Sequence, residues 1–333
     1  MAGIRVGIIG FGAIGRTNAE AIAAVGGRVV AVAGRAAAPT EGSFAYHADH
    51  RELIARDDVD LVAICTPSGL HARQALDAIA AGKHVVVEKP LALDLGDGER
   101  VIQAARERGV LLSVISQRRF EPGHRYLQER IASGDLGRAI LGEAIVRWWR
   151  EESYYLSADW RGTTAMDGGA LLNQAIHVID LLRWLLGSVD EVSCATATLA
   201  HEIESEDTAV AAIRFASGAL GSVVATTAAR PGVPAQVVLS FERGSVEFIG
   251  AAVARWDLPV PPPPPAAAIA GGGESDPRAI GALGHIAQWR DITDALAGGR
   301  RPFVAGEDAL ATLALILAAH ESARTRRAVR PRY

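Results

Sequence analysis

Lysine is almost missing from this chain. Of its 34 basic residues only Lys83 and Lys89 are lysines; arginine carries the rest. A lysine that survives such a bias is a candidate for chemistry that a planar guanidinium cannot do. Cysteine is nearly as scarce. Cys65 and Cys194 are too few for a disulfide framework and show no metal-ligand spacing, so a reducing, cytoplasmic setting and no metal site are expected. Long apolar runs are absent too: the longest, around residues 309–319, is too short to span a bilayer and reads as a buried helix. The first residues lack the charged-then-apolar pattern of a secretory signal. Nor is there an excess of positive charge. A formal net charge of −4 over 333 residues gives no general attraction to nucleic acid or to an anionic membrane. The late arginines (Arg324, Arg326, Arg327, Arg330 and Arg332) read as the solvated end of a last helix rather than as a binding tail.

What is present is an ordinary globular mixture, 49% apolar and 22% charged, in a length comfortable for two domains. The first third alternates short apolar strands with helical patterns, which implies βαβ units and a parallel sheet. Strands are expected at Ile4–Ile9, Val29–Ala33, Leu61–Cys65, His84–Val87 and Leu111–Ile115, with helices at Ile14–Val25, His71–Ala81 and Glu99–Arg108. After Phe120 the rhythm changes to a helix (Gly123–Ser133), a strand (Ala139–Trp149), a long helix from Gly169 to Leu186, and strands separated by turns such as Ser217-Gly218 and Arg243-Gly244. Many of these neighbours should pair as antiparallel hairpins. A Pro/Gly-rich loop follows at 258–277, and two helices, Leu283–Ala297 and Glu307–Arg326, close the chain. The expected class is α/β: a nucleotide-binding domain at 1–120 and, at 121–333, an α/β domain with a large, mostly antiparallel open sheet.

Gly10-Phe11-Gly12-Ala13-Ile14-Gly15 has the form G-x-G-x-x-G, between an expected strand and an expected helix. In that context Gly10 makes the tight turn, Gly12 lets the backbone approach a pyrophosphate, and Gly15 lets helix and strand pack closely. The helix start offers unpaired N–H groups to phosphate. The plain alternative is a glycine turn with no ligand. In context the motif marks a Rossmann dinucleotide site, with Gly10, Phe11, Gly12, Ala13 and Ile14 against the cofactor. About 20 residues on, an acidic residue would hold the ribose hydroxyls of NAD; the sequence instead reads Gly34-Arg35. A guanidinium there suits a 2′-phosphate, so NADP is expected, with NAD as the alternative if Arg35 points to solvent.

Two later segments, Cys65-Thr66-Pro67-Ser68-Gly69-Leu70-His71 and Gly82-Lys83-His84-Val85-Val86-Val87-Glu88-Lys89-Pro90, resemble hallmark stretches of the glucose-fructose oxidoreductase/inositol dehydrogenase family. Gln117-Arg118-Arg119-Phe120 and the run from Gly168 to Asp180 extend the resemblance over nearly the whole chain. The resemblance implies that Thr66, Pro67 and His71 lie along the cofactor, Glu88 near the nicotinamide ribose and Gln117 by the nicotinamide. It further implies that Lys89 reaches the oxygen of the reacting carbon, before a proline joined by a cis peptide, and that His177 is the acid/base. Hydride exchange with a carbinol needs such a proton partner and a cation for the developing alkoxide. The bland readings are a surface lysine and a satisfied core histidine. Asn173 stands four residues before His177, where the family commonly has aspartate; it can orient the ring or bind a substrate hydroxyl but cannot lend charge. Asp180 either pairs with Arg183 or supports the site.

Five of the 18 aromatic side chains (Trp148, Trp149, Tyr154, Tyr155 and Trp160) fall within thirteen residues. Such rings are core or a sugar-stacking surface. Trp160-Arg161-Gly162 resembles a segment near the nicotinamide in sugar reductases of the family, so Trp160 and Arg161 join the cofactor set. Arg118 and Tyr155 join Lys89, Asn173 and His177 as substrate residues. Three readings stay open: an NAD(P)-dependent oxidoreductase of a sugar, inositol or sugar nucleotide; a reductase of a non-sugar substrate such as a dihydrodiol or an imine; and a non-catalytic dinucleotide sensor. A small-molecule substrate and a homodimer or homotetramer are expected.

Overall fold

The computed structural model describes residues 3–34, 43–264 and 281–333. The chain forms two compact units, Met1–Gln117 with Ala282–Leu310, and Arg118–Gly281 with Ala311–Tyr333.

The first unit is built on a six-stranded parallel sheet of β1 (Arg5–Ile9), β2 (Arg28–Ala33), β3 (Ala45–His47), β4 (Leu61–Ile64), β5 (His84–Val87) and β6 (Leu112–Val114). Their spatial order is β3-β2-β1-β4-β5-β6. The strands are almost wholly apolar because helices cover both faces. The order reverses between β1 and β4, so the loops after their carboxyl ends, Gly10–Gly12 and Cys65–Pro67, flank the crevice where such sheets take ligands. The helix Ala13–Ala24 starts directly from the glycine loop.

Helix Leu283–Gly298 corrects the boundary expected at residue 120, since it belongs to this first unit. Trp289 is fully buried in the same core as Val6, Ile8, Ala21 and Val86, and its Nε1–H donates to Asn18 Oδ1 at 2.8 Å. Gln288 bonds the edge of the sheet, accepting from Ser116 N–H at 2.9 Å and donating to the Val114 carbonyl at 2.8 Å. An amphipathic pattern says that a helix needs a partner, not which one.

The second unit carries a seven-stranded sheet of β7 (Ala139–Trp149), β8 (Val189–Ala197), β9 (Thr208–Phe215), β10 (Leu220–Thr226), β11 (Ala228–Phe241), β12 (Gly244–Ile249) and β13 (Ala252–Asp257). The order is β13-β12-β11-β7-β10-β9-β8, and only β7 and β10 run parallel. The turns at Ser217-Gly218 and Arg243-Gly244 join antiparallel neighbours, as expected. One face packs on helix Ile176–Leu186, which can close on β7 because Gly142 has no side chain to meet Leu182 and Leu186. The single helix expected from Gly169 to Leu186 is instead a π-helical turn, Ala170–Ala175, followed by the α-helix. Its entry, Gly168-Gly169, has φ of 89° and 81°, which favours glycine. Of the Pro/Gly-rich stretch, residues 265–277 lie outside the described residues, as does Arg35. Among the described residues no helix is long and apolar enough to cross a membrane.

Candidate active site

The glycine loop of the first unit separates into three cases. Gly10 has φ of +90°, and a Cβ there would lie 2.6 Å from the Cys65 carbonyl oxygen. A Cβ on Gly15 would strike the Gly10 carbonyl. The protein itself therefore demands glycine at both positions. Gly12 differs: its φ of −76° suits any residue, and a Cβ would meet nothing within 4 Å. The space over Gly12 is open, and helix Ala13–Ala24 begins there with no side-chain cap and no acidic residue in its first turn. Bare N–H groups, the helix dipole and open space together fit a dinucleotide pyrophosphate. Phe11, edge-on to Phe44 at 5.2 Å, and the half-buried Ile14 wall the loop. Gly34 ends β2 with its carbonyl accepting from the Tyr46 hydroxyl at 2.6 Å.

Thr66 and Pro67 occupy the loop after β4, where the Thr66 hydroxyl donates to Gln74 Oε1 at 2.6 Å. His71, expected along the cofactor, is held by the fold itself. It is 1% exposed, with Nδ1 2.7 Å from the Pro90 carbonyl and Nε2 2.8 Å from that of Thr66. It is a strut between the Thr66 loop and the Lys89-Pro90 turn, whose peptide is cis. Burial pushes its imidazole below the ordinary range, against the pull of both carbonyls and of Glu88. Glu88 is likewise buried. Burial raises its carboxyl, but His285, Asn18 and the Lys89 charge outweigh that and hold it below the usual range. Asn18 Nδ2 donates to Glu88 Oε1 at 2.8 Å, and His285 Nε2 lies 3.5 Å from the same oxygen. Lys89 follows at the end of β5, half-buried. The Gln117 side-chain oxygen is buried without a hydrogen-bond partner, a second feature that fits a bound polar group. Lys83, the other lysine, is structural: its ammonium donates to the carbonyls of Arg56 and Val59 at 2.8 and 2.9 Å.

In the second unit His177 lies in the first turn of helix Ile176–Leu186, half-buried, with Asn173 in the π turn before it. Asn173 Nδ2 donates to Asp167 Oδ1, and Asp167 Oδ2 accepts from Gly162 N–H at 2.7 Å. Glu206 pins the same turn, accepting from Leu171 N–H at 2.9 Å. The Arg161 guanidinium stacks on Tyr154 and Trp160, 4.0 and 4.7 Å from the ring centroids. Tyr155, expected at the substrate, is a core residue: it is buried, and its hydroxyl meets Thr227 Oγ1 at 2.8 Å. Arg118 is also buried, reaching the Gly250 carbonyl at 3.4 Å. Asp180 is held by Arg119, in two bonds of 2.6 and 2.7 Å, and it also accepts from Thr312, with the Arg183 charge acting on it as well.

The sequence reading missed Asp167, Glu206, Asn18 and His285. Only Asn18 left a local trace, as a polar residue on the buried face of its helix. Among the described residues no group of His, Cys, Asp and Glu could hold a metal ion.

Residues 4–116 match the family model "Oxidoreductase family, NAD-binding Rossmann fold", and residues 124–247 match "GFO/IDH/MocA C-terminal domain". The chain is 31% identical over 269 residues to an inositol 2-dehydrogenase of Rubrobacter xylanophilus, covering 76% of this chain and 74% of that one. It is 30% identical over 207 residues to a 4-carboxy-2-hydroxymuconate-6-semialdehyde dehydrogenase of Sphingobium, covering 60% of this chain and 64%, less than two thirds, of that protein. Among solved structures it resembles the WlbA dehydrogenase of Bordetella pertussis in complex with NADH and UDP-GlcNAcA. There the TM-score is 0.89 at 32% identity, with 99% of each chain covered.

Proposed function

We propose that this chain, which belongs to the GFO/IDH/MocA family of oxidoreductases, exchanges a hydride between a nicotinamide dinucleotide and a CH–OH or carbonyl carbon of a sugar, inositol or sugar nucleotide. The observation that carries the dinucleotide half is Gly12, a glycine with an open Cβ position and an ordinary φ at an uncapped helix start. Gly10, Phe11, Ala13, Ile14, Thr66, Pro67, Glu88 and Gln117 complete the cofactor set of the first unit. Bound there, the nicotinamide supplies the hydride acceptor or donor.

This chain's residues do the rest. The Lys89 ammonium holds the substrate oxygen and stabilises it as it gains charge. His177 takes or returns the hydroxyl proton, and Asn173 orients the imidazole or a substrate hydroxyl. Gly34-Arg35, with no carboxylate, supports NADP. The NADH in the Bordetella complex favours NAD as the second reading. The semialdehyde dehydrogenase from Sphingobium likewise favours a non-sugar carbonyl as the second reading of substrate. A homodimer or homotetramer is supported by Leu141, Leu220 and Val210, exposed on one face of the second sheet.

The test is a panel of sugars, inositols, sugar nucleotides and small semialdehydes, each offered with NAD(H) and NADP(H) and followed by nicotinamide absorbance. Turnover confined to the semialdehydes selects the second reading. Turnover with no member overturns both.

A further inference from the structure

A buried polar atom that the protein leaves without a partner needs a reason, and a ligand is one. Among the described residues of the first unit, such side-chain atoms belong to two residues only, Gln117 and His285. The two come from distant parts of the chain and meet at one place. Gln117 follows β6, and a Cβ on Gly284 would lie 3.2 and 3.3 Å from its Cβ and Cγ. The stem of Gln117 therefore rests on the backbone just before His285. His285 itself is 1% exposed. Gln288, one turn further on, fixes the helix to the end of β6 through Ser116 and Val114.

The hydrogens of this cluster follow from which groups can donate. The Trp289 indole only donates, so Asn18 turns Oδ1 to it at 2.8 Å and Nδ2 to Glu88 Oε1 at 2.8 Å. Burial raises the Glu88 carboxyl, but His285, Asn18 and the Lys89 charge outweigh that and hold it below the usual range. Glu88 is therefore ionised and only accepts. His285 Nε2 faces the same oxygen at 3.5 Å. That is longer than a hydrogen bond, but the negative charge still draws the ring hydrogen to Nε2. The neutral ring then keeps its lone pair on Nδ1. Two acceptors are left without a donor, Gln117 Oε1 and His285 Nδ1.

Position in the sheet says which ligand group reaches them. The strand order is β3-β2-β1-β4-β5-β6, with the pyrophosphate placed at the glycine loop after β1. In such sheets the adenosine half runs to the end of β2. The nicotinamide half is left the ends of β4, β5 and β6, where Glu88, Gln117 and His285 stand. We infer that His285 and Gln117 form a subsite for the nicotinamide carboxamide, whose NH2 gives one hydrogen to Gln117 Oε1 and the other to His285 Nδ1. The subsite selects an amide. It rejects a ring bearing a carboxylate, which has no hydrogen to give and would stand beside Glu88. The inference rests on the reading of the first unit as a dinucleotide site and adds to it a residue from the late helix.

The test is calorimetric titration of the whole chain, without substrate. The ligands are NAD and NADP, their 3-acetylpyridine analogues (methyl in place of NH2), their nicotinic acid analogues (carboxylate in place of carboxamide), and ADP-ribose with and without a 2′-phosphate. Wild type should bind the parent dinucleotide roughly 10²-fold tighter than its acetylpyridine analogue, about tenfold for each buried acceptor left unpaired. The nicotinic acid form should bind more weakly still, because like charges meet. In H285L, and equally in Q117L, the preference for the parent over the acetylpyridine form should shrink to about tenfold. It should vanish in the double variant. H285N sets an amide oxygen close to where Nδ1 stands and should recover the preference. ADP-ribose should bind all of these proteins alike.

Equal binding of the parent and acetylpyridine dinucleotides by the wild type overturns the inference, and that comparison decides the matter even where H285L does not fold. A full preference retained in H285L overturns it as well. If ADP-ribose binds but these discriminations are missing, the dinucleotide site stands and only the carboxamide subsite is removed. If neither the dinucleotides nor ADP-ribose bind, the dinucleotide reading falls and this inference falls with it.

Discussion

Gly12→Ser separates folding from binding, because the fold makes no demand for glycine there. A serine Cβ at residue 12 would meet no atom within 4 Å, and φ is −76°. Serine is also a better helix N-cap than glycine and restricts the unfolded chain. Together these should raise stability by roughly 0.5–1 kcal/mol. The same side chain fills the space where a pyrophosphate would meet the bare N–H groups of helix Ala13–Ala24. Losing one or two charge-assisted bonds of about 1.5–3 kcal/mol each weakens binding roughly tenfold to hundredfold or more.

The controls sit on either side. Gly10→Ala places a Cβ 2.6 Å from the Cys65 carbonyl oxygen at φ of +90°, so it should cost at least the ~1–2 kcal/mol of a left-handed residue. Gly15→Ala strikes the Gly10 carbonyl and should cost comparably. Thermal unfolding without ligand and fluorescence titration with NADH and NADPH read the two effects separately. A Gly12→Ser protein that binds dinucleotide as tightly as wild type would refute the reading of that space, as would one that unfolds like Gly10→Ala.

Four further outcomes are expected. His177→Ala should lower turnover roughly 10²–10⁴-fold with cofactor affinity near wild type; equal turnover would remove His177 from the chemistry. Lys89→Met should abolish turnover while dinucleotide still binds, and Lys89→Arg should be poor because a planar fork does not replace a point charge. A silent Lys89→Met together with no substrate would leave a dinucleotide sensor. Arg35→Ala should remove most of a roughly tenfold to hundredfold preference for NADP and leave NAD little changed, since one guanidinium–phosphate contact is worth about 1.5–3 kcal/mol; tighter NAD binding in wild type would overturn the NADP assignment. Asp180→Asn removes the charge that pairs with the buried Arg119 and should cost about 3–5 kcal/mol, measured by denaturant unfolding. Burial raises the Asp180 carboxyl, but Arg119, with Arg183 and Thr312, outweighs that and holds it below the ordinary range. Its contribution is therefore present above the usual carboxylate pKa of about 3.9 and is lost as pH falls through the lower folded value. The variant should show a flatter acid limb, and an unchanged one would count against the pairing.

What the sequence made legible is what short stretches determine. The βαβ rhythm, the glycine fingerprint and the hairpin turns each lie within one window, and the strands expected in the first third of the chain are present within a residue or two. Trp289 and Gln288 lie far outside any such window: their partners, Asn18 and β6, are 271 and about 170 residues away in the chain. Helix Leu283–Gly298 therefore gave no local sign of which domain it would complete. β13 also went unforecast, because its mixed exposure gives no clean alternation.

The site divides along the same line. Residues chosen by motif were placed as motifs place them, on strand ends and helix starts, but what each side chain does there depends on distant carbonyls and carboxylates. His71 is a case in point. The sequence put it at the right loop, but only the fold shows it buried with its two nitrogens against the Thr66 and Pro90 carbonyls, beside the turn that carries Lys89. Tyr155 follows the same logic, its hydroxyl spent on Thr227, 72 residues on. A polar side chain in a motif shows where chemistry can be done. Whether that side chain does it depends on how many of its donors and acceptors the fold has already used, and that count exists only in three dimensions.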